Sequence, residues 1–138
     1  MRYKMSNSNK FYISLPVTDL QRSKYFYKQL GFEFVPQLTN EFAACVIVGK
    51  DMYVMPMLPS FYSHALDEQT SKTVQDTKVM LSLSVESKAA VDEMVKKALK
   101  AGAKLASPVK EQGFMVGGTF HDPDGHLWTV YYTDHSFM

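Results

Sequence analysis

The strongest constraint on this chain is that its order of secondary-structure elements is stated twice. Phe11-Tyr12-Ile13-Ser14-Leu15-Pro16-Val17 alternates and predicts a strand, with Ile13, Leu15 and Val17 on one face and Tyr12, Ser14 and Pro16 on the other. Thr18-Asp19-Leu20-Gln21 fits a capping box with Thr18 at the N-cap. Leu20, Ser23, Phe26, Tyr27 and Leu30 then recur at helical spacing, and Gly31 closes the helix. Strands are expected from Phe32 to Val35, Phe42 to Val48 and Met52 to Met57. After a stretch without period from Leu58 to Lys78, the order restarts. Val79 to Val85 alternates with Leu81, Leu83 and Val85 on one face and Met80, Ser82 and Ser84 on the other. Ser87 caps a helix to about Lys100 with an inner stripe of Val91, Met94, Val95 and Ala98, closed by Gly102. Ala103 to Ser107 starts a strand, and Phe114 to Phe120 and Leu127 to Tyr132 form a hairpin. Tyr12 to Val17 aligns with Met80 to Val85, chiefly through the order of elements around them. The fold class this implies is α+β, two βαβββ modules whose strands curl around a cavity.

The 138 residues make one domain. Residues 1–10 read as a flexible N-terminus and 11–138 as a single domain, with module 1 at about 11–57, a linker at 58–78 and module 2 at about 79–133. A linker of that length is functional or mobile in many proteins, and Phe61, Tyr62 and His64 within it read as a lid. The hydrophobic share of 46% supports a packed core. A net charge of +1 argues against a dedicated binder of nucleic acid or anionic membrane. The single cysteine, Cys45, excludes an internal disulfide framework and a cysteine-rich zinc site. No apolar run approaches the ~18 residues of a membrane span, and the polar start lacks a secretory pattern, so a cytoplasmic protein is expected.

Most chemistry-bearing residues have an ordinary structural explanation. His121-Asp122-Pro123-Asp124-Gly125-His126 is turn chemistry at an exposed hairpin end, and a structural role outweighs a metal pair there. His64 and His135 read as solvated. Cys45 sits in an apolar run and reads as a small buried hydrophobe. No Gly-x-Ser-x-Gly elbow is present, and Gly113 to Gly118 does not open a helix as a phosphate cradle would. Met52, Met55, Met57, Met80 and Met115 read either as core filling or as a soft cavity wall. Strand parity favours the cavity for Met80, and Tyr12, Ser14, Ser82, Thr129 and Tyr131 share that assignment. For Tyr12 and Tyr131, plain barrel filling stands level with it. With Met55 these residues form a neutral lining suited to a planar or weakly polar ligand. Glu41, Glu111 and Asp76 are candidate bases only if loops fold inward.

Several motifs carry a family resemblance: Leu15-Pro16-Val17-Thr18-Asp19-Leu20 with Ser23, Phe26-Tyr27 and Leu30-Gly31-Phe32, then Ala101-Gly102 and Phe120-His121-Asp122-Pro123-Asp124-Gly125-His126-Leu127-Trp128. Over residues 11 to 133 the chain resembles the vicinal oxygen chelate superfamily, which includes glyoxalase I, bleomycin- and fosfomycin-resistance proteins and extradiol dioxygenases. Ala43-Ala44-Cys45, Tyr53-Val54-Met55 and Gly113-Phe114-Met115 are most similar to its bacterial predicted lactoylglutathione lyase group. The resemblance implies a divalent metal held by His, Gln or Glu. The matching positions here are Tyr12, Met80 and Thr129, and Tyr53, Val54 and Met55 offer nothing for the remaining ligand. Phenol, thioether and hydroxyl are poor donors for such ions.

The expectation is therefore a small-molecule-binding protein using Tyr12, Ser14, Met55, Met80, Ser82, Thr129 and Tyr131, with no metal and no cofactor, and with any reaction and catalytic residues unidentified. The resemblance also implies a homodimer with cavities shared across the interface. The alternatives are a metal-dependent lactoylglutathione lyase-like isomerase or dioxygenase with displaced ligands at His121, His126 or His64, and a filled structural module.

Overall fold

The computed structural model describes residues 9–64, 79–113 and 115–134. The elements follow the order β1 (Phe11–Pro16), α1 (Leu20–Gln29), β2 (Glu33–Phe34), β3 (Val46–Gly49), β4 (Met52–Met57), α2 (Pro59–His64), β5 (Met80–Ser84), α3 (Lys88–Lys100), β6 (Lys104–Gln112), β7 (Met115–His121) and β8 (Leu127–Thr133). The two modules repeat not only in order but in topology. Sheet 1 runs β1-β4-β3-β2 and sheet 2 runs β5-β8-β7-β6. In each, the first strand pairs in parallel with the fourth, and the remaining pairs are antiparallel. Among the described residues no helix is long and apolar enough to cross a membrane.

Helix α1 begins one residue later than the capping box predicts. Asp19, not Thr18, is the N-cap, and its carboxylate accepts from Arg22 N at 3.0 Å. Thr18 is otherwise engaged, as its backbone and hydroxyl both donate to Asp124. At the other end Gly31 takes φ 97°, a conformation that favours glycine. The predicted stripe is buried: Leu20, Ser23, Phe26 and Tyr27 on α1, with Val91, Val95 and Ala98 on α3. Ser87 caps α3 by accepting from Ala90 N at 3.0 Å.

Both sheets bury their helix-facing sides in one continuous core. Leu15, Phe26, Tyr27, Val46 and Val54 of module 1 join Leu81, Val91, Val95, Val116, Phe120 and Trp128 of module 2. The junction is aromatic, with Phe26 edge-on to Phe120 at 6.2 Å and Tyr27 tilted against Trp128 at 5.8 Å. Because the helical sides meet, the other face of each sheet turns away from the common core. The strands thus form two four-stranded mixed sheets, each with a second face away from the shared core.

The turn between β7 and β8 is not an exposed hairpin end. It docks against the start of α1 and buries two carboxylates. Asp122 is 4% exposed. Its Oδ2 accepts from Tyr27 Oη at 2.7 Å and Trp128 Nε1 at 3.4 Å, and its Oδ1 from the backbone of Asp124 and His126 at 3.0 Å. Asp124 Oδ1 accepts from Thr18 N, Thr18 Oγ1 and Arg22 Nη2, and Oδ2 from Ser23 Oγ at 3.2 Å. His126 Nε2 lies 2.7 Å from Pro16 O. A carbonyl only accepts, so that nitrogen carries the proton. The structural role expected for the turn holds, but its partners lie in the other module.

Candidate functional site

The open faces can be read strand by strand from the register. On sheet 1, Tyr12 lies beside Tyr53, and Ser14 beside Met55. The two tyrosine rings stack, centroids 4.8 Å apart and planes 17° from parallel. Lys10, paired with Asp51 at 3.2 Å, borders them, and Asp51 holds its ammonium above the usual range. Further along, Phe42 and Phe61 stack at 6.4 Å, which places the start of α2 against the loop before β3. On sheet 2, Met80 lies beside Leu127, Ser82 beside Thr129, and Ser84 beside Tyr131. Thr129 Oγ1 donates to Met80 Sδ at 3.2 Å and lies 3.2 Å from Thr119 Oγ1.

The structure therefore brings together Tyr12, Ser14 and Met55 as one set and Met80, Ser82, Thr129 and Tyr131 as another. Among the described residues no hydrogen bond or ring contact joins the two sets. Parity puts Tyr12 and Ser14, and Met80, Ser82, Thr129 and Tyr131, on the side of each strand opposite the buried residues. Whether the two sides meet depends on how the modules dock, which local alternation does not encode. Core filling explains Met57, 6% exposed, but not Met52, Met80 or Met115, which are 48%, 54% and 37% exposed. Tyr53 and Thr119 complete the faces and were missed as lining residues. The signal for Thr119 was present, since Val116 and Phe120 are apolar at alternating positions and Thr119 has the opposite parity.

The family's metal can be tested against the donors at these positions. Met80 and Thr129 turn their sulfur and hydroxyl toward each other, and Tyr12 stacks on Tyr53. Among the described residues no three His, Cys, Asp or Glu side chains gather where they could share an ion. The residues present do not fit a divalent metal at the family's positions. Of the displaced ligands considered above, His126 fares no better. Asp122 and Asp124 have their lone pairs taken by donors of the fold, and His126 Nε2 is held by Pro16 O. Glu111 projects to the helical side and pairs with Lys88 at 2.9 Å, and Glu41 is exposed in the loop before β3. The side chains of Tyr62 and His64, and all of Asp76 and His135, lie outside the described residues. Cys45 is fully buried, and burial pushes its thiol up, away from the reactive thiolate.

Grooves of about 460, 370 and 200 Å³ lie on the helical side of the chain, and their lining includes none of the seven expected residues.

Paired βαβββ modules, each with its first strand inserted beside its fourth, define a two-module α+β fold. A family model described as the Glyoxalase/Bleomycin resistance protein/Dioxygenase superfamily matches residues 11–130, and the chain belongs to that superfamily. The fold is similar to that of a glyoxalase/bleomycin resistance protein/dioxygenase family enzyme from Burkholderia phytofirmans PsJN, at 21% identity and a TM-score of 0.76, over 89% of this chain and 97% of that one. A hypothetical protein from S. aureus aligns at 25% identity and 0.70, covering 94% and 95%. TioX from Micromonospora sp. ML1 aligns at 20% identity and 0.66, covering 91% and 99%. No curated protein matches the chain.

Proposed function

We propose that this protein binds a planar, weakly polar small molecule on its open sheet faces, without a metal. The observation that carries this reading is the lining of β1, β4, β5 and β8. Their outward positions hold Tyr12, Ser14, Tyr53 and Met55, then Met80, Ser82, Thr129 and Tyr131. These are rings, hydroxyls and thioethers, with no carboxylate, thiol or imidazole among them. On these four strands the surface offers stacking and orientation but no proton-transfer group, and His121 of β7 borders it. A metal-dependent lactoylglutathione lyase-like isomerase is the competing reading, and the donor set speaks against it because the ion would have to polarise a carbonyl from Tyr, Met and Thr.

A homodimer is part of the proposal. Tyr12 at 43% exposure and Met80 at 54% are large apolar groups left open in the single chain. In a two-fold dimer, the module 1 face of one copy covers the module 2 face of the other, and two equivalent sites form. We place the protein in the cytoplasm, away from membranes and nucleic acid, on its near-neutral charge.

The test is a thermal-shift screen of planar aromatics against untagged protein, followed by calorimetry and light scattering. A ligand at 100 times its Kd adds about 2.7 kcal/mol, enough to raise the Tm by several degrees. Binding that disappears in Tyr12→Ala and in Thr129→Ala, with a particle twice 15.7 kDa, is the expected result. A stoichiometric transition metal in the purified protein, or no hit across the screen, sinks the reading.

A further inference from the structure

On sheet 2 the register lines up four hydroxyl side chains across four strands: Ser82, Thr129, Thr119 and Ser107. The row on one side reads Met80, Leu127, His121 and Lys104, and the row on the other reads Ser84, Tyr131, Gly117 and Lys110. The face is therefore graded. It is apolar and neutral at β5 and becomes cationic at β6, where Ser107 lies between Lys104 and Lys110. Thr119 sits at the centre of the cationic end, with Ser107 and Thr129 across from it and His121 and Gly117 beside it along β7. Strands lie about 4.8 Å apart and same-face neighbours along β7 about 6.8 Å apart, while on β6 register shifts between Leu105 and Ser107 and between Ser107 and Lys110 bring Lys104, Ser107 and Lys110 opposite His121, Thr119 and Gly117.

Two details sharpen the chemistry. His121 Nδ1 lies 3.3 Å from Gly125 O. A carbonyl only accepts, so Nδ1 carries the proton. Glu111, the acid within β6, belongs to the opposite side and pairs with Lys88 of α3. The described positions of β5 to β8 thus put no carboxylate on this face. Gly117 adds no side chain beside Tyr131, and a Cβ there would stand 3.5 Å from Tyr131 Cβ. A flat group can approach the backbone at that point.

We infer that the β6 end of sheet 2 is an oxyanion subsite, and that the ligand is a planar aromatic acid. Its ring lies over Gly117 against Tyr131. Its carboxylate accepts from the hydroxyl of Ser107 between Lys104 and Lys110, beside Thr119, whose own proton goes to Thr129 Oγ1. This inference rests on the binding reading above and adds the charge of the ligand to it. Lysines on an edge strand also discourage edge-to-edge pairing. That role needs no ligand and confers no preference between an acid and an alcohol.

The experiment compares naphthoate with its neutral counterpart naphthylmethanol, by calorimetry at low salt, on the wild type and on Lys104→Met/Lys110→Met. The expected result is naphthoate binding about tenfold tighter than the alcohol, since each exposed ion pair contributes about 0.2–1 kcal/mol and about 1.4 kcal/mol is tenfold. The preference should shrink with added salt. In the double variant it should fall to about unity. Equal affinities in the wild type, or a preference that survives the double substitution, overturn the oxyanion subsite and leave the binding reading standing. Failure of both probes to bind the wild type overturns the two together. Both lysines are exposed, so an unchanged melting temperature confirms that the variant is folded.

Discussion

Two polar regions of this molecule are built from similar side chains and behave in opposite ways. At the joint between the modules, Asp122 and Asp124 each accept from several donors, and those donors come from Thr18, Arg22, Ser23, Tyr27 and Trp128. Among the described residues no buried side-chain nitrogen or oxygen lacks a partner. On the open face of sheet 2, among the described residues, the Thr129 hydroxyl bonds to Thr119 and Met80 alone, and Ser82 is exposed. The joint has spent its hydrogen-bonding capacity on the fold. The face keeps capacity in reserve. A binding surface on a rigid frame needs both, since precision in the site comes from elements that do not move when the site is filled.

The sharpest way to break the comparison is Asp122→Ala. It strands the Tyr27 hydroxyl and the Trp128 indole N–H in the core and removes the acceptor that shapes the turn. A loss of about 3–5 kcal/mol is expected in urea unfolding. That is a large share of the total stability of a typical domain. A loss below about 1 kcal/mol would mean that the turn is as dispensable as a surface loop. Gly118→Ala comes next. A Cβ there would stand 2.9 Å from Val109 Cγ2 and 3.0 Å from Val95 Cγ2, and both valines are stiff at χ1. Overpacking between sheet 2 and α3 should cost about 1–3 kcal/mol. Gly117→Ala, on the opposite face, meets its neighbours only at ordinary contact distance and should cost less. The pair tests directly whether the two sides of one strand differ as described.

The same contrast explains what the sequence could and could not reveal. Strand parity and helical stripes are local, and they placed Leu15, Phe26, Val91, Tyr12 and Met80 on the correct sides. The repeated order of elements foretold two βαβββ modules, and the structure gives each module a four-stranded sheet of the same topology. The joint was not legible, because the partners of Asp124 lie more than 100 positions away in the chain. Aspartates flanking a proline next to a glycine announce a turn, whatever that turn later docks against. Thr18 looks like a cap for the same reason: its real acceptor, Asp124, is distant in the chain. The candidate lining was legible residue by residue. Its division into two faces was not, since that division follows from Phe26 and Tyr27 packing on Phe120 and Trp128.

Alkaline pH sharpens the comparison further. Burial raises the Tyr27 phenol well above its ordinary value, and the carboxylate of Asp122 beside it acts in the same direction. The folded state therefore requires the neutral phenol, whereas an unfolded tyrosine ionises near about pH 10. The stabilisation is fully present below about pH 10 and is lost as pH rises beyond it, by up to about 1.4 kcal/mol per pH unit for one proton. Lys10 and Lys88 are also raised, by Asp51 and Glu111, and their contributions fade in the same direction. Those pairs are exposed and yield to salt, while the buried phenol does not. Urea unfolding at high salt should therefore retain the alkaline slope in the wild type and lose that slope in Tyr27→Phe.

The smallest effect on stability belongs to the open face. Thr129→Val keeps the shape and the strand propensity of the residue and removes a half-exposed hydroxyl. The change in unfolding free energy should stay within about 0.5 kcal/mol. Binding of a planar alcohol such as naphthylmethanol should nevertheless weaken severalfold, because a lost hydrogen bond removes about 0.5–1.5 kcal/mol. If the variant loses stability and keeps its affinity, the hydroxyl of Thr129 serves sheet 2 through Thr119 and Met80 rather than a ligand. The open face would then be another structural surface, like the joint. If stability holds and affinity falls, the division of labour between a saturated joint and a receptive face is established at a single side chain.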